Sequence, residues 1–114
     1  MKPASAKAKG RALQQYVRNK LISLFDLTLD DVRSTSMGAG GEDIQLSTAA
    51  RAVVPLSIEC KSLARHAVYM HYFQAVDNAK NGAIPTLVIK QNNAIPLVVL
   101  DLDHFLTFVK GQTR

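Results

Sequence analysis

A chain of 114 residues is long enough for one hydrophobic core and too short for two. With 47% hydrophobic and 20% charged residues it has the composition of an ordinary globular domain, and its longest apolar runs, such as Ile95 to Leu100, are far too short to cross a bilayer. One cysteine excludes an internal disulfide framework and a zinc site of several thiolates, and the Lys/Ala/Gly-rich start lacks the apolar stretch of a signal peptide, so an intracellular location is expected. The formal net charge is +5, and it is unevenly spread: Lys2, Lys7, Lys9, Arg11, Arg18 and Lys20 all precede the first acid, Asp26. Such an end suits a polyanion, nucleic acid foremost, or serves as a solubilising tail.

In chain order, residues 1–9 read as a basic flexible tail and residues 10–114 as a single domain. Leu13, Val17, Leu21 and Leu24/Phe25 recur at helical spacing and predict a helix from Arg11 to Phe25. Val32-Arg33-Ser34 is a candidate short strand. Ser36 to Gly41 is a glycine-rich loop that could bring backbone close to a ligand, but no Gly-Lys-Ser/Thr follows, so it is not a nucleotide-binding loop. Ile44 to Leu46 predicts a strand, Ser47 to Ala52 a turn, and Val53 to Lys61 a second strand whose Pro55 implies an edge or bulge. Ser62 is placed to cap a helix from Leu63 to Asn81 that Gly82 would stop. Pro85 to Lys90 and Ile95 to Leu102, separated by Gln91-Asn92-Asn93-Ala94, predict a hairpin. Asp101 or Asp103 would cap a last helix from His104 to Lys110. This order predicts an α/β domain with a mixed central sheet flanked by helices.

Asp43 and the Glu59-Cys60-Lys61 stretch carry the chemistry. Side chains alternate along a strand, so Glu59 and Lys61 share one face while Ile58 and Cys60 share the other. A carboxylate and an ammonium on an otherwise apolar strand cost desolvation free energy, and a functional role explains them more readily than packing does. With Asp43 alongside, the set offers hard oxygen ligands for Mg²⁺ or Mn²⁺ and a lysine to orient water or offset charge on a phosphate. The bland alternative is a solvated Glu-Lys pair. Cys60 is expected to face the core. The histidines make no metal set: His66 and His71 are wrongly spaced for one helix face, His104 is distant, and surface positions are expected for them. Tyr69, Tyr72 and Phe73 are expected in the core.

The ordered set Asp43, Glu59, Cys60 and Lys61 resembles the signature of PD-(D/E)xK nucleases. Lys9-Gly10-Arg11 at the first helix, Val32-Arg33-Ser34 before the loop, and Ile58-Glu59-Cys60-Lys61-Ser62 extend the likeness from about Lys9 to Leu106. The wider pattern is closest to archaeal-type and phage Holliday junction resolvases. The resemblance implies a restriction-endonuclease-like core and a Mg²⁺-dependent endonuclease, with Mn²⁺ as a substitute. It further implies a homodimer that resolves branched DNA, above all four-way junctions, leaving 5′-phosphate and 3′-hydroxyl ends. No nucleotide cofactor or membrane is involved, and a phage-encoded member would work in the bacterial cytoplasm. Asp43, Glu59 and Gln14 would hold metal, with Lys61 catalytic. Such resolvases often carry Glu where this chain has Gln14, a weaker ligand that Gln15 could replace. Glu42 stands where the superfamily name has Pro, and is expected to be a solvated charge rather than a partner of the ligands. The resemblance also implies DNA contacts by Lys9, Arg11, Arg33, Ser36, Arg65 and Gln74, with Lys80 a further backbone contact. Two alternatives remain open: a nicking, repair or restriction-type enzyme acting on other DNA structures, and a non-catalytic DNA-binding module that kept the fold.

Overall fold

A computed structural model describes residues 5–35, 41–62, 67–80 and 82–112. Helix α1 spans Ala6–Phe25 and starts earlier than its apolar stripe predicts, because the Ser5 hydroxyl accepts the Ala8 amide at 3.1 Å and caps it. Residues 6–9, expected in a flexible tail, are therefore its first turn. Asp26 closes the helix in the left-handed conformation, φ 56°, with its N–H on the Ile22 carbonyl.

Strands β1 (Val32–Ser34) and β2 (Ile44–Leu46) pair antiparallel, with Val32 opposite Leu46. The expected turn after β2 is instead a short helix, α2 (Thr48–Val53), whose cap is Ser47. Strand β3 runs Leu56–Ser62, beginning after Pro55 rather than at Val53, and ending one residue beyond Lys61. Ser62 is thus the last strand residue, not a helix cap. Helix α3 covers Val68–Asn78, and no side chain caps its start at Ala67. Strand β4 (Ile84–Lys90) lies parallel to β3, strand β5 (Leu97–Val99) antiparallel to β4, and α4 (Leu102–Gln112) follows. Asp101 caps α4 by accepting the His104 amide at 2.9 Å. The predicted hairpin is present, with Asn93 taking positive φ in its turn.

The protein is thus α/β, but its strands form two sheets rather than one central sheet: β1-β2, and the mixed sheet β3-β4-β5. α1 packs on β3 and β1, and α3 packs on β4 and β3. Leu13 and Leu21 of α1 join Val32, Ile44, Val54, Ile58, Cys60 and Val88 in the core. Cys60 therefore faces inward, as its strand alternation predicts. Among the described residues no helix is long and apolar enough to cross a membrane.

Candidate active site

Asp43 sits immediately before β2, and three local devices position it. Thr35 continues the β1-β2 ladder by donating its amide (2.9 Å) and its hydroxyl (3.2 Å) to the Asp43 carbonyl. Gly41 enters at φ 89°, a conformation that side chains disfavour, and the space around it is open, so the requirement is conformational. Arg51 on α2 grips the neighbouring Glu42 in a two-pronged ion pair, at 2.8 and 2.9 Å, and donates to the Leu56 carbonyl at 2.7 Å. Glu42 is 3% exposed, so the expectation of a solvated charge is overturned. Burying that carboxylate is tolerable only because Arg51 meets both of its oxygens.

With Glu42 held by Arg51, Asp43 reaches β3. Its Oδ2 accepts the Cys60 amide at 2.8 Å. In the mixed sheet β3 has β4 on one side and, among the described residues, no strand on the other, so the carboxylate satisfies an amide on the strand's open edge. This links Asp43 to the backbone between Glu59 and Lys61. Glu59 is buried and accepts from Asn78 Nδ2 of α3 at 3.3 Å. Lys61, half-buried, lies on the same strand face.

The electrostatics follow from this crowding. Burial raises the Asp43 carboxyl above its ordinary value, against the lowering pull of the Cys60 amide, of a hydrogen bond from Glu59 and of the Lys61 charge. Burial pushes Glu59 up to about 7, and the Asp43 charge adds to it, while Asn78 and Lys61 act the other way. Two carboxyl groups close enough to interact, both partly desolvated, hold a proton near neutral pH that a cation can displace. Among the described residues no set of three His, Cys, Asp or Glu side chains converges. Asp43 and Glu59 offer two carboxyl groups, and Mg²⁺ commonly takes one or two carboxylates and keeps waters and substrate oxygens as its other ligands.

The other expected site residues are scattered. Gln14 is 3% exposed on α1 and Gln15 is exposed, so the buried amide of the two is Gln14. Lys9 is half-buried and donates to Asn92 Oδ1 at 3.0 Å, and Arg11 is exposed. Arg33 is exposed and paired loosely with Asp30 at 3.6 Å. Gln74 and Lys80 are exposed, and the α3 amide that reaches the carboxylates is Asn78, one turn after Gln74. Ser36, Arg65 and His66 lie outside the described residues. His71 is buried, contrary to expectation, while His104 pairs with Asp101. The aromatic side chains of α3 also depart from expectation: Tyr69 is 78% exposed and Phe73 58%, although their rings pair at 6.3 Å.

Sequence reasoning missed Arg51 and Asn78. Neither has a local signal, since each acts on a residue brought near by the fold. Comparison with protein-family models, curated proteins and solved structures finds no match.

Proposed function

We propose that this chain is a Mg²⁺-dependent, structure-selective DNA endonuclease of the PD-(D/E)xK kind, most concretely a Holliday junction resolvase working as a homodimer. The observation that carries the reading is the convergence of Asp43, Glu59 and Lys61, with the two carboxyl groups near enough to share a proton. Asp43 and Glu59 would hold a divalent cation, which would supply an acidified water and neutralise charge on the phosphate. Asp43, fixed by the Cys60 amide, and Glu59, steadied by Asn78, orient the donors. Lys61 offsets charge that builds on the phosphate oxygens as the water oxygen bonds to phosphorus and the bond to the 3′-oxygen breaks. The products are a 5′-phosphate and a 3′-hydroxyl.

The uneven positive charge on α1 supports a polyanionic substrate: Lys7, Lys9, Arg11, Arg18 and Lys20 lie on a helix with no acid. Uncovered apolar side chains support a second copy. No residue from Leu102 to Gly111 is buried, and Leu102, Phe105 and Leu106 are all at least half exposed. A helix with this much apolar surface is expected to find a partner.

The test is a gel assay on an immobile four-way junction and a matched duplex, with Mg²⁺ or EDTA. Paired, symmetric nicks on the junction alone, absent in EDTA and in Lys61→Ala, are the expected result. Gln14, a neutral residue at the position where the resemblance expects a carboxylate, favours one second reading: a non-catalytic junction-binding module. Tight metal-independent binding with no cutting, in Mn²⁺ as well, would select that module. Equal cutting of duplex and junction would point to a repair or restriction-type enzyme.

A further inference from the structure

A groove of about 730 Å³ lies between the N-terminal half of α1 and the β4–β5 turn, and Ser62 at the end of β3 reaches it. Lys9 and Lys90 bring positive charge to it, Ser62 and Asn92 bring polar groups, and Tyr16 and Pro96 bring flat or apolar surface. No acidic side chain is among the described residues that line it. The Tyr16 ring is 49% exposed, and Lys20 sits 5.6 Å from its centre, so a third cation stands next to the groove. Lys9 spends one donor on Asn92, and an ammonium has three.

The location matters as much as the lining. Ser62 and Lys90 are opposite one another at the C-terminal end of the parallel β3–β4 pair, where α/β sheets commonly take ligands. Ser62 follows Lys61 directly, and the two side chains alternate, so Lys61 lies on the face covered by α3 and Ser62 on the face covered by α1. A nucleic-acid strand crossing this end of β3 meets both faces.

We propose that this groove binds an unpaired nucleotide of the DNA strand, with the base against Tyr16 and Pro96 and the flanking phosphate against Lys9 and Lys90. The proposal rests on the reading of the neighbouring carboxylates as a DNA-cutting site, and it adds a basis for structure selectivity. A base inside a duplex is stacked and paired and cannot enter, whereas a base at a branch point leaves the stack at small cost. The tyrosine needs no hydrogen-bond match, since every base has a stacking face.

The test uses the full chain in EDTA, so that nothing is cut, with three probes: tetrathymidylate, an abasic tetramer with the same phosphates, and thymidine monophosphate. Tetrathymidylate should bind about tenfold more tightly than the abasic tetramer, as expected for base–aromatic stacking. Tyr16→Ala should erase that difference, Tyr16→Phe should keep it, and Lys9→Gln should weaken both tetramers. Equal binding of the two tetramers, or a preference untouched by Tyr16→Ala, would overturn the proposal. Monophosphate binding as tight as that of tetrathymidylate would overturn its assignment to a DNA strand and leave a free-nucleotide site. The same preparations are assayed for junction cleavage in Mg²⁺. Cleavage without a base preference sinks the groove alone, and a Tyr16-dependent base preference without cleavage sinks the enzyme alone.

Discussion

At Arg51 a single guanidinium holds a buried carboxylate, a strand carbonyl and, through them, the approach of Asp43 to β3. Arg51→Ala leaves Glu42 buried and uncompensated and should cost about 3 kcal/mol of stability in chemical denaturation. Arg51→Met combined with Glu42→Gln should recover part of that loss, because no buried charge is then left unpaired. Asp43→Asn and Lys61→Ala should abolish cleavage and leave junction binding largely intact, as read by gel shift beside the cleavage assay; loss of both together would mean a wrong site. Glu59 gives a pH signature. Its folded pKa, about 7, lies above the ordinary value of 4.5, so the stabilisation from its protonated form is fully present below that ordinary value. It fades as pH rises through about 7. Metal-free protein should therefore melt at a lower temperature at about pH 8 than at about pH 5, and Glu59→Gln should flatten the trend. Asp31 and Asp101, both held below the ordinary carboxylate value, titrate beneath this window. Glu59 and Lys61 stand out in the sequence because their charges conflict with an apolar strand, and the expected approach of Asp43 to that strand is seen in its bond to the Cys60 amide. Glu42 and Asn78 were not legible in the sequence, because burial and partner choice depend on residues that only the fold brings together.

Helix α2 lasts less than two turns, yet it carries Arg51. Its start depends on Ser47, whose hydroxyl accepts from Ala50 at 3.1 Å and donates to Asp31 at 2.8 Å. Ser47→Ala should lower stability by about 1–2 kcal/mol and reduce cleavage by loosening Arg51, measured as a thermal shift and a cleavage rate on one preparation. Helix α1 offers a separate test of the nucleic-acid reading. Changing Lys7, Lys9 and Arg11 together to Gln should reduce the slope of log binding constant against log salt by about two to three if each neutralises one phosphate. An unchanged slope would take that end of α1 out of the DNA interface. Strands β4 and β5 are readable from β-branched runs on either side of a turn, whereas β1 and β2, three residues each, carry a single β-branched residue apiece. The turn assigned to Ser47–Ala52 was a helix because its length leaves no room for a periodic apolar stripe. The early start of α1 was hidden for a different reason: its first turn is polar and depends on a cap, and apolar spacing cannot report a cap.

The molecule measures 51 × 31 × 25 Å, elongated for its length, with the apolar side of α4 partly uncovered, from Phe108 at 37% exposed to Leu102 at 68%. If a second copy covers that side, wild-type protein should sediment as a dimer, and Leu102→Asp with Phe105→Asp should give a folded monomer. A monomeric wild type would refute the pairing. Binary patterning places apolar residues on α4, but it carries no information on what covers them. That is why the layers of this fold were legible and its outer boundary was not. Cys60 offers an independent view of the whole molecule in motion. It is the chain's one thiol, buried in the core beneath α1, and burial together with the Asp43 and Glu59 charges drives its pKa far upward. A thiolate-seeking reagent cannot modify it until α1 lifts from β3. Its labelling rate is therefore a clock, already built into the strand that bears Glu59 and Lys61, for how often the folded protein breathes open at its centre.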